Sequence, residues 1–140
     1  MKKLFAILVP LVVLTLVFAP PALCRKNLIK IGINAPMTGD IPKVGEGSKF
    51  AAQMWLEDIK KAGGLKVGDK TYDVELVIED NESKAESAVK ANTKMITEDE
   101  VLAIVGPQSS KQAVPAGDVA NNYKTPTVSY THLTLPTKRI

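Results

Sequence analysis

The fold class this sequence predicts is α/β, with a doubly wound parallel sheet. Three observations predict it. Short apolar runs alternate with helix-patterned stretches from Leu28 to Val128. Each connection between the main runs holds a helix of more than ten residues, which suits a crossover and not a hairpin. No internal repeat interrupts the alternation. Right-handed crossovers then give an order of second, first, third and fourth strand.

Taken in order, Leu28 to Ala35 carries Ile29, Ile31 and Ile33, and Pro36 closes this first strand. From about Glu46 to Ala62, Phe50, Ala51, Met54, Trp55, Leu56 and Ile59 recur at helical spacing. Gly63-Gly64 stops that helix. Lys66 to Lys70 is polar, contains Gly68 and reads as a turn. Tyr72 to Ile78 alternates, a second strand ending at Glu79-Asp80-Asn81. Ser83-Lys84-Ala85-Glu86 has capping-box spacing, and Ala85, Ala88, Val89 and Ile96 form the inner face of the second helix. Val101 to Val105 is an apolar run too short for a helix and stops at Gly106-Pro107, a third strand. A third helix reaches about Asn122, with Pro115 expected in its first turn. Thr125 to Val128 begins a fourth strand.

The ends of the chain read differently. Lys2 and Lys3, the apolar run Leu4 to Phe18, and the proline and small-residue exit at Ala19 to Cys24 have the layout of a secretory signal peptide over residues 1–24. The run is shorter than the ~20 residues that span a bilayer. Cys24 is the only cysteine, so no disulfide framework exists. It marks either a lipid attachment site or the last residue of an ordinary cleavage site. Val128-Ser129-Tyr130-Thr131-His132-Leu133-Thr134-Leu135-Pro136-Thr137 resembles the translation of a transposase sequencing adapter. Residues 128–140 are therefore expected to be a non-native tail, leaving residues 25–127 as the natural body. The only histidine, His132, lies in that tail.

Charge and motifs exclude several function classes. The formal net charge of +3 rests on basic residues at the two ends, and the body is mildly acidic. That removes the argument for nucleic acid. Gly45-Glu46-Gly47-Ser48 begins like a dinucleotide fingerprint but lacks the third glycine, and no Gly-Lys-Ser/Thr triplet is present. Glu79-Asp80-Asn81-Glu82 lacks calcium-loop spacing and reads as a solvated turn feeding a helix. Without His132, no Ser-His-Asp or Cys-His set can be assembled. No catalytic residue, metal or cofactor is expected.

What remains is binding chemistry at one rim. In open α/β sheets ligands sit beyond the carboxyl ends of strands. There Gly106-Pro107-Gln108-Ser109-Ser110 leads from a strand into a helix. Helix N-termini present unpaired N–H groups to anions, and the two serine hydroxyls add donors and acceptors. Such a site suits a small carboxylate. On local sequence alone, the plainer reading is that Ser110 merely caps the helix.

Ile29-Lys30-Ile31-Gly32, Pro36-Met37-Thr38-Gly39, Ala62-Gly63-Gly64-Leu65, Glu79-Asp80-Asn81 and Ile104 to Ser110 follow one another as in the branched-chain amino-acid-binding proteins of ABC importers. The resemblance covers about Asn27 to Val128. It implies a type I periplasmic-binding-protein fold, with two α/β lobes closing on a ligand, of which this chain is part of the N-terminal lobe. It implies a ligand that is an amino acid or similar small carboxylate, a membrane permease as partner, a monomer, and a periplasmic or extracytoplasmic site of action. A ligand-sensing receptor ectodomain of the same fold is the alternative. The resemblance places the carboxylate-binding serine at Ser110, with Ser109 and Gln108 beside it. An aromatic residue precedes the first-loop glycine in that family. Here Val44 precedes Gly45, so the side-chain pocket differs.

Overall fold

The computed structural model describes residues 27–129. The expected signal peptide, Cys24, His132 and all but the first two residues of the expected tail lie outside the described residues. The elements are β1 (Leu28–Ala35), α1 (Pro42–Lys61), β2 (Leu65–Val67), β3 (Lys70–Asp80), α2 (Ala85–Thr97), β4 (Ala103–Val105), α3 (Ser110–Asn122) and β5 (Thr127–Val128).

The sheet order is β2-β3-β1-β4-β5. β1 runs parallel to β3, with Ile31 opposite Leu76, and parallel to β4, with Gly32 opposite Ile104. β4 and β5 are parallel too. The four strands expected from the sequence thus lie in the expected order. β2 is the addition. The segment read as a turn folds back antiparallel on the start of β3, pairing Leu65 with Tyr72 and Val67 with Lys70. Gly68, at φ +59°, supplies the left-handed residue this tight hairpin needs.

The order fixes where the helices go. The chain leaves β1 for β3 on one side, then passes β1 again to reach β4 and β5 on the other. Right-handed crossovers place α1 on one face and α2 with α3 on the opposite face. The core lies under α2, where Ala91, Met95, Val101 and Ile104 cluster. Gly32 makes the fit possible, because a Cβ there would stand 2.7 Å from the Met95 sulfur. Burying Met95 fully contributes about 1.5–3 kcal/mol.

Several local expectations are corrected. α1 begins at Pro42, four residues before the expected start, with the proline in its first turn. A fixed φ and a missing N–H suit that position. Its apolar residues divide into two stripes: Ala52, Leu56 and Ile59 are half-buried, whereas Phe50, Met54 and Trp55 are exposed. Pro115 lies inside α3, beyond its first turn, because the helix starts at Ser110. It has no N–H to give the Lys111 carbonyl. The capping box is absent: Lys84 is the N-cap of α2 and no side chain caps it. Ser83 points elsewhere. Its Oγ donates to the Thr38 carbonyl (3.0 Å) and accepts from the Asp40 and Ile41 N–H groups at 3.0 and 3.3 Å. The turn at residues 79–82 is not simply solvated either. Asn81 is fully buried.

Asn81 belongs to a chain of buried carboxamides that ties the layers together. Asn81 Nδ2 donates to Asn34 Oδ1 (2.8 Å). Asn34 Nδ2 donates to Asn92 Oδ1 (2.8 Å) and to the Ala88 carbonyl (2.9 Å). Asn92 Nδ2 donates to the Ala116 carbonyl of α3 (2.9 Å). All three side chains are 0% exposed, so every bond replaces water that cannot enter.

Candidate functional site

The strand order reverses between β1 and β4, and there the connections leave in opposite directions. A crevice outside the carboxyl ends of these two strands is the general ligand position of open α/β sheets. Its walls are residues 36–41 after β1, the first turns of α1, and residues 106–109 leading into α3.

Glycines let these walls approach. Gly45, inside α1, is buried, and a Cβ there would run into the Pro36 carbonyl. Gly106, at φ +104°, lies so close to Asn34 that a Cβ would meet the Asn34 carbonyl oxygen. The Gly106-Pro107 bond is cis. Ser129 Oγ donates to the Pro107 carbonyl (2.6 Å) and holds the outer side of this turn.

Between the walls lies an open depression of about 330 Å³, lined by Val44, Gly47, Ser48, Ala51 and Gln108. Two sequence-predicted residues, Val44 and Gln108, therefore come together from segments 64 residues apart. Ser48 joins them. Its hydroxyl donates to the Val44 carbonyl (2.9 Å) and accepts from Gln108 Nε2 (2.9 Å). Gln108 Oε1 is buried without a hydrogen-bond partner among the described residues. Gly47, Ser48 and Ala51 were not among the residues expected from the sequence to bind a ligand. Their spacing from Val44, at i+3, i+4 and i+7, is the signal that marks them as one helix face.

Ser109 and Ser110 stand beside this depression in sequence but do not line it. Ser109 is the N-cap of α3, extended at φ −119° and ψ 138°. Ser110 is the first helical residue and is exposed. The reading of Ser110 as the cap is thus corrected: the cap position is Ser109, and no side-chain cap bond forms there. The Ser109 carbonyl accepts from the Gln112 and Ala113 N–H groups. No side chain of this helix end bonds its first N–H groups, which leaves them able to meet an anion.

Asp80 organises the opposite wall. Its carboxylate accepts from the Met37 N–H (2.9 Å), the Thr38 N–H (3.2 Å), the Thr38 hydroxyl (2.6 Å) and the Glu82 N–H (2.8 Å). Burial pushes its pKa up. The Thr38 hydroxyl and the Glu82, Thr38 and Met37 N–H groups outweigh burial together and hold it below the ordinary carboxylate value. The sign follows from linkage. A depressed folded pKa gives stability that is present above the unfolded value of about 3.9 and lost as pH falls through the folded value. The carboxylate is partly solvated, so this share stays under about 1 kcal/mol. Protection of the Met37 and Thr38 amides from exchange, taken relative to the intrinsic rate at each pH, is therefore expected to fall below about pH 4, more than at β1 amides. Asp80→Asn should remove that difference. An identical acid response in both proteins counts against the role of Asp80.

Among the described residues, no group of three or more His, Cys, Asp and Glu could hold a metal ion. Nor is any described helix long and apolar enough to cross a membrane. The rim thus holds one hydroxyl-rich helix end and one mixed depression.

Similarity to known proteins identifies the family. Residues 28–139 match the family described as periplasmic binding protein, and the chain belongs to it. It is 36% identical over 107 residues to the Leu/Ile/Val-binding protein BraC3 of Rhizobium johnstonii, covering 76% of this chain and 27% of that protein. It is 33% identical over 93 residues to the leucine-, isoleucine-, valine-, threonine- and alanine-binding protein of Pseudomonas aeruginosa, covering 66% of this chain and 24% of that one. Among solved structures, it resembles the branched-chain amino acid transporter substrate-binding protein LivJ of Streptococcus pneumoniae in complex with isoleucine. That match has a TM-score of 0.68 and 30% identity over 73% of this chain and 28% of that one. The chain spans about a quarter of the length of these relatives.

Proposed function

We propose that this chain supplies part of the N-terminal lobe of an extracytoplasmic solute-binding protein, one that captures a branched-chain or related amino acid for an ABC importer. The single observation that carries the reading is the crevice at the point where strand order reverses. There an uncapped helix start lies beside a depression suited to one small side chain. The names of the relatives, amino-acid binders among them, support the ligand class. The same family supports binding rather than catalysis.

In this reading the ligand carboxylate meets the Ser110 hydroxyl and the first N–H groups of α3, with Ser109 alongside. The ligand side chain lies against Val44 and Ala51, with Gln108 and Ser48 at the floor. A second lobe closes over the ligand by hinge motion. The loaded monomer, outside the cytoplasm, presents it to a membrane permease.

Ser110→Ala in the full-length protein tests the carboxylate contact. A hydrogen bond to a charged group contributes roughly 1.5–3 kcal/mol. Its loss should raise the dissociation constant about tenfold to a hundredfold. Ser109→Ala should do less, because Ser109 is set back at the cap position. Affinity is to be measured by calorimetry well below the melting temperature. Equal affinity for Ser110→Ala and wild type, with only a lower melting temperature, would assign Ser110 a structural role and end its place in the site.

A further inference from the structure

We propose that Asn34, Asn81 and Asn92 are positioning residues: a one-directional carboxamide relay that locks residues 38–41, ahead of α1, to α3, so that the two walls of the crevice move as one body. The path is continuous. The Asp40 and Ile41 N–H groups donate to Ser83 Oγ, and the Ser83 N–H donates to Asn81 Oδ1 (3.0 Å). Asn81 then donates to Asn34, Asn34 to Asn92, and Asn92 to the Ala116 carbonyl. Ala116 lies six residues into the helix that starts at Ser110.

Two features make this a lock and not a set of separate bonds. The direction of every carboxamide is fixed by the ends, because a backbone N–H can only donate to Asn81 and a backbone carbonyl can only accept from Asn92. Turning one amide over would set two acceptors or two donors against each other at both of its neighbours. In addition, Glu82 and Ser83 are consecutive left-handed residues, at φ 51° and 60°. Non-glycine residues hold that conformation only where their surroundings over-determine it. Ser83, pulled by Asn81 on one side and by residues 38–41 on the other, is so determined. A Cβ at Gly39 would meet the Glu82 carbonyl, so the two loops are also in direct contact.

The test perturbs one end and reads the other. In the chain described here, Asn92→Leu should speed amide exchange at Asp40 and Ile41 at least tenfold relative to β1 amides. Met95→Ala, a core change one turn along the same helix, should speed all of these amides by a common factor. An unchanged ratio in Asn92→Leu, or an equal change in Met95→Ala, overturns the relay. If Asn92→Leu fails to fold, wild type decides. The Nδ2 protons of the three asparagines and the Asp40 and Ile41 amides should exchange through one common opening; independent openings overturn the proposal. The bearing on affinity rests on the solute-binding reading. In the full-length protein, Asn92→Leu should weaken amino-acid binding about tenfold and Met95→Ala should not. If the wild-type protein binds no amino acid, the solute-binding reading fails, and the exchange measurement still decides the relay.

Discussion

Gly106→Ala is expected to lower stability by about 3–5 kcal/mol, enough to unfold much of the population at room temperature. Two costs add. At φ +104° any side chain is strained. The new methyl would also meet the Asn34 carbonyl, which cannot retreat because it belongs to β1, the strand between β3 and β4. Gly117→Ala is the control. It lies within α3, and a Cβ there meets nothing within 4 Å. That substitution should stabilise by about 0.4–1 kcal/mol. Urea unfolding of both variants checks the pair. A Gly106→Ala loss below about 1 kcal/mol would mean that β4 and its loop are not pressed against β1 as described.

Asn34→Asp should lower stability by a similar amount, about 3–5 kcal/mol at pH 7. Asn34 Nδ2 faces two acceptors, the Ala88 carbonyl and Asn92 Oδ1. An ionised carboxylate there would set oxygen against oxygen at both. Only the protonated acid can donate, so the folded state raises the pKa of the new carboxyl above its unfolded value. Stability should therefore rise as pH falls, until the unfolded chain also takes up the proton near pH ~3.9. Asn34→Leu, which leaves the same partners unpaired but cannot titrate, should be destabilised without that recovery. Denaturant midpoints from pH 7 to 4 separate the two. Parallel midpoint curves for the two variants would contradict the direction assigned to the amides.

These two residues show where the sequence was and was not readable. The crossover helices were legible because Ala88, Ile96 and their neighbours repeat at helical spacing, and the long connections left no room for hairpins. β2 was not: three residues, Leu65–Val67, are too few to display a period. The early start of α1 was signalled by Pro42 but hidden behind Gly45, which reads as loop and instead serves close packing on Pro36. The buried amides were illegible for a deeper reason. Asn81 sits in a run of acidic residues and looks solvated; only the fold shows that Asn34 and Asn92 meet it. Val44 and Gln108 were named from the sequence as candidates, whereas Ser48, the hydroxyl between them, becomes visible once α1 is known to be helical at Val44.

The central claim is that the crevice between β1 and β4 receives an amino-acid carboxylate at the start of α3. Calorimetric titration of the full-length protein tests it most directly, first with a panel of free amino acids and then with the carboxamide of the tightest binder. The carboxamide keeps the side chain and the amino group and removes the charge that α3 is held to recognise. The account predicts binding of at least one aliphatic amino acid at about micromolar dissociation constant, and a loss of about tenfold or more for its carboxamide. Equal binding of acid and carboxamide, or no binding of any amino acid, would contradict it.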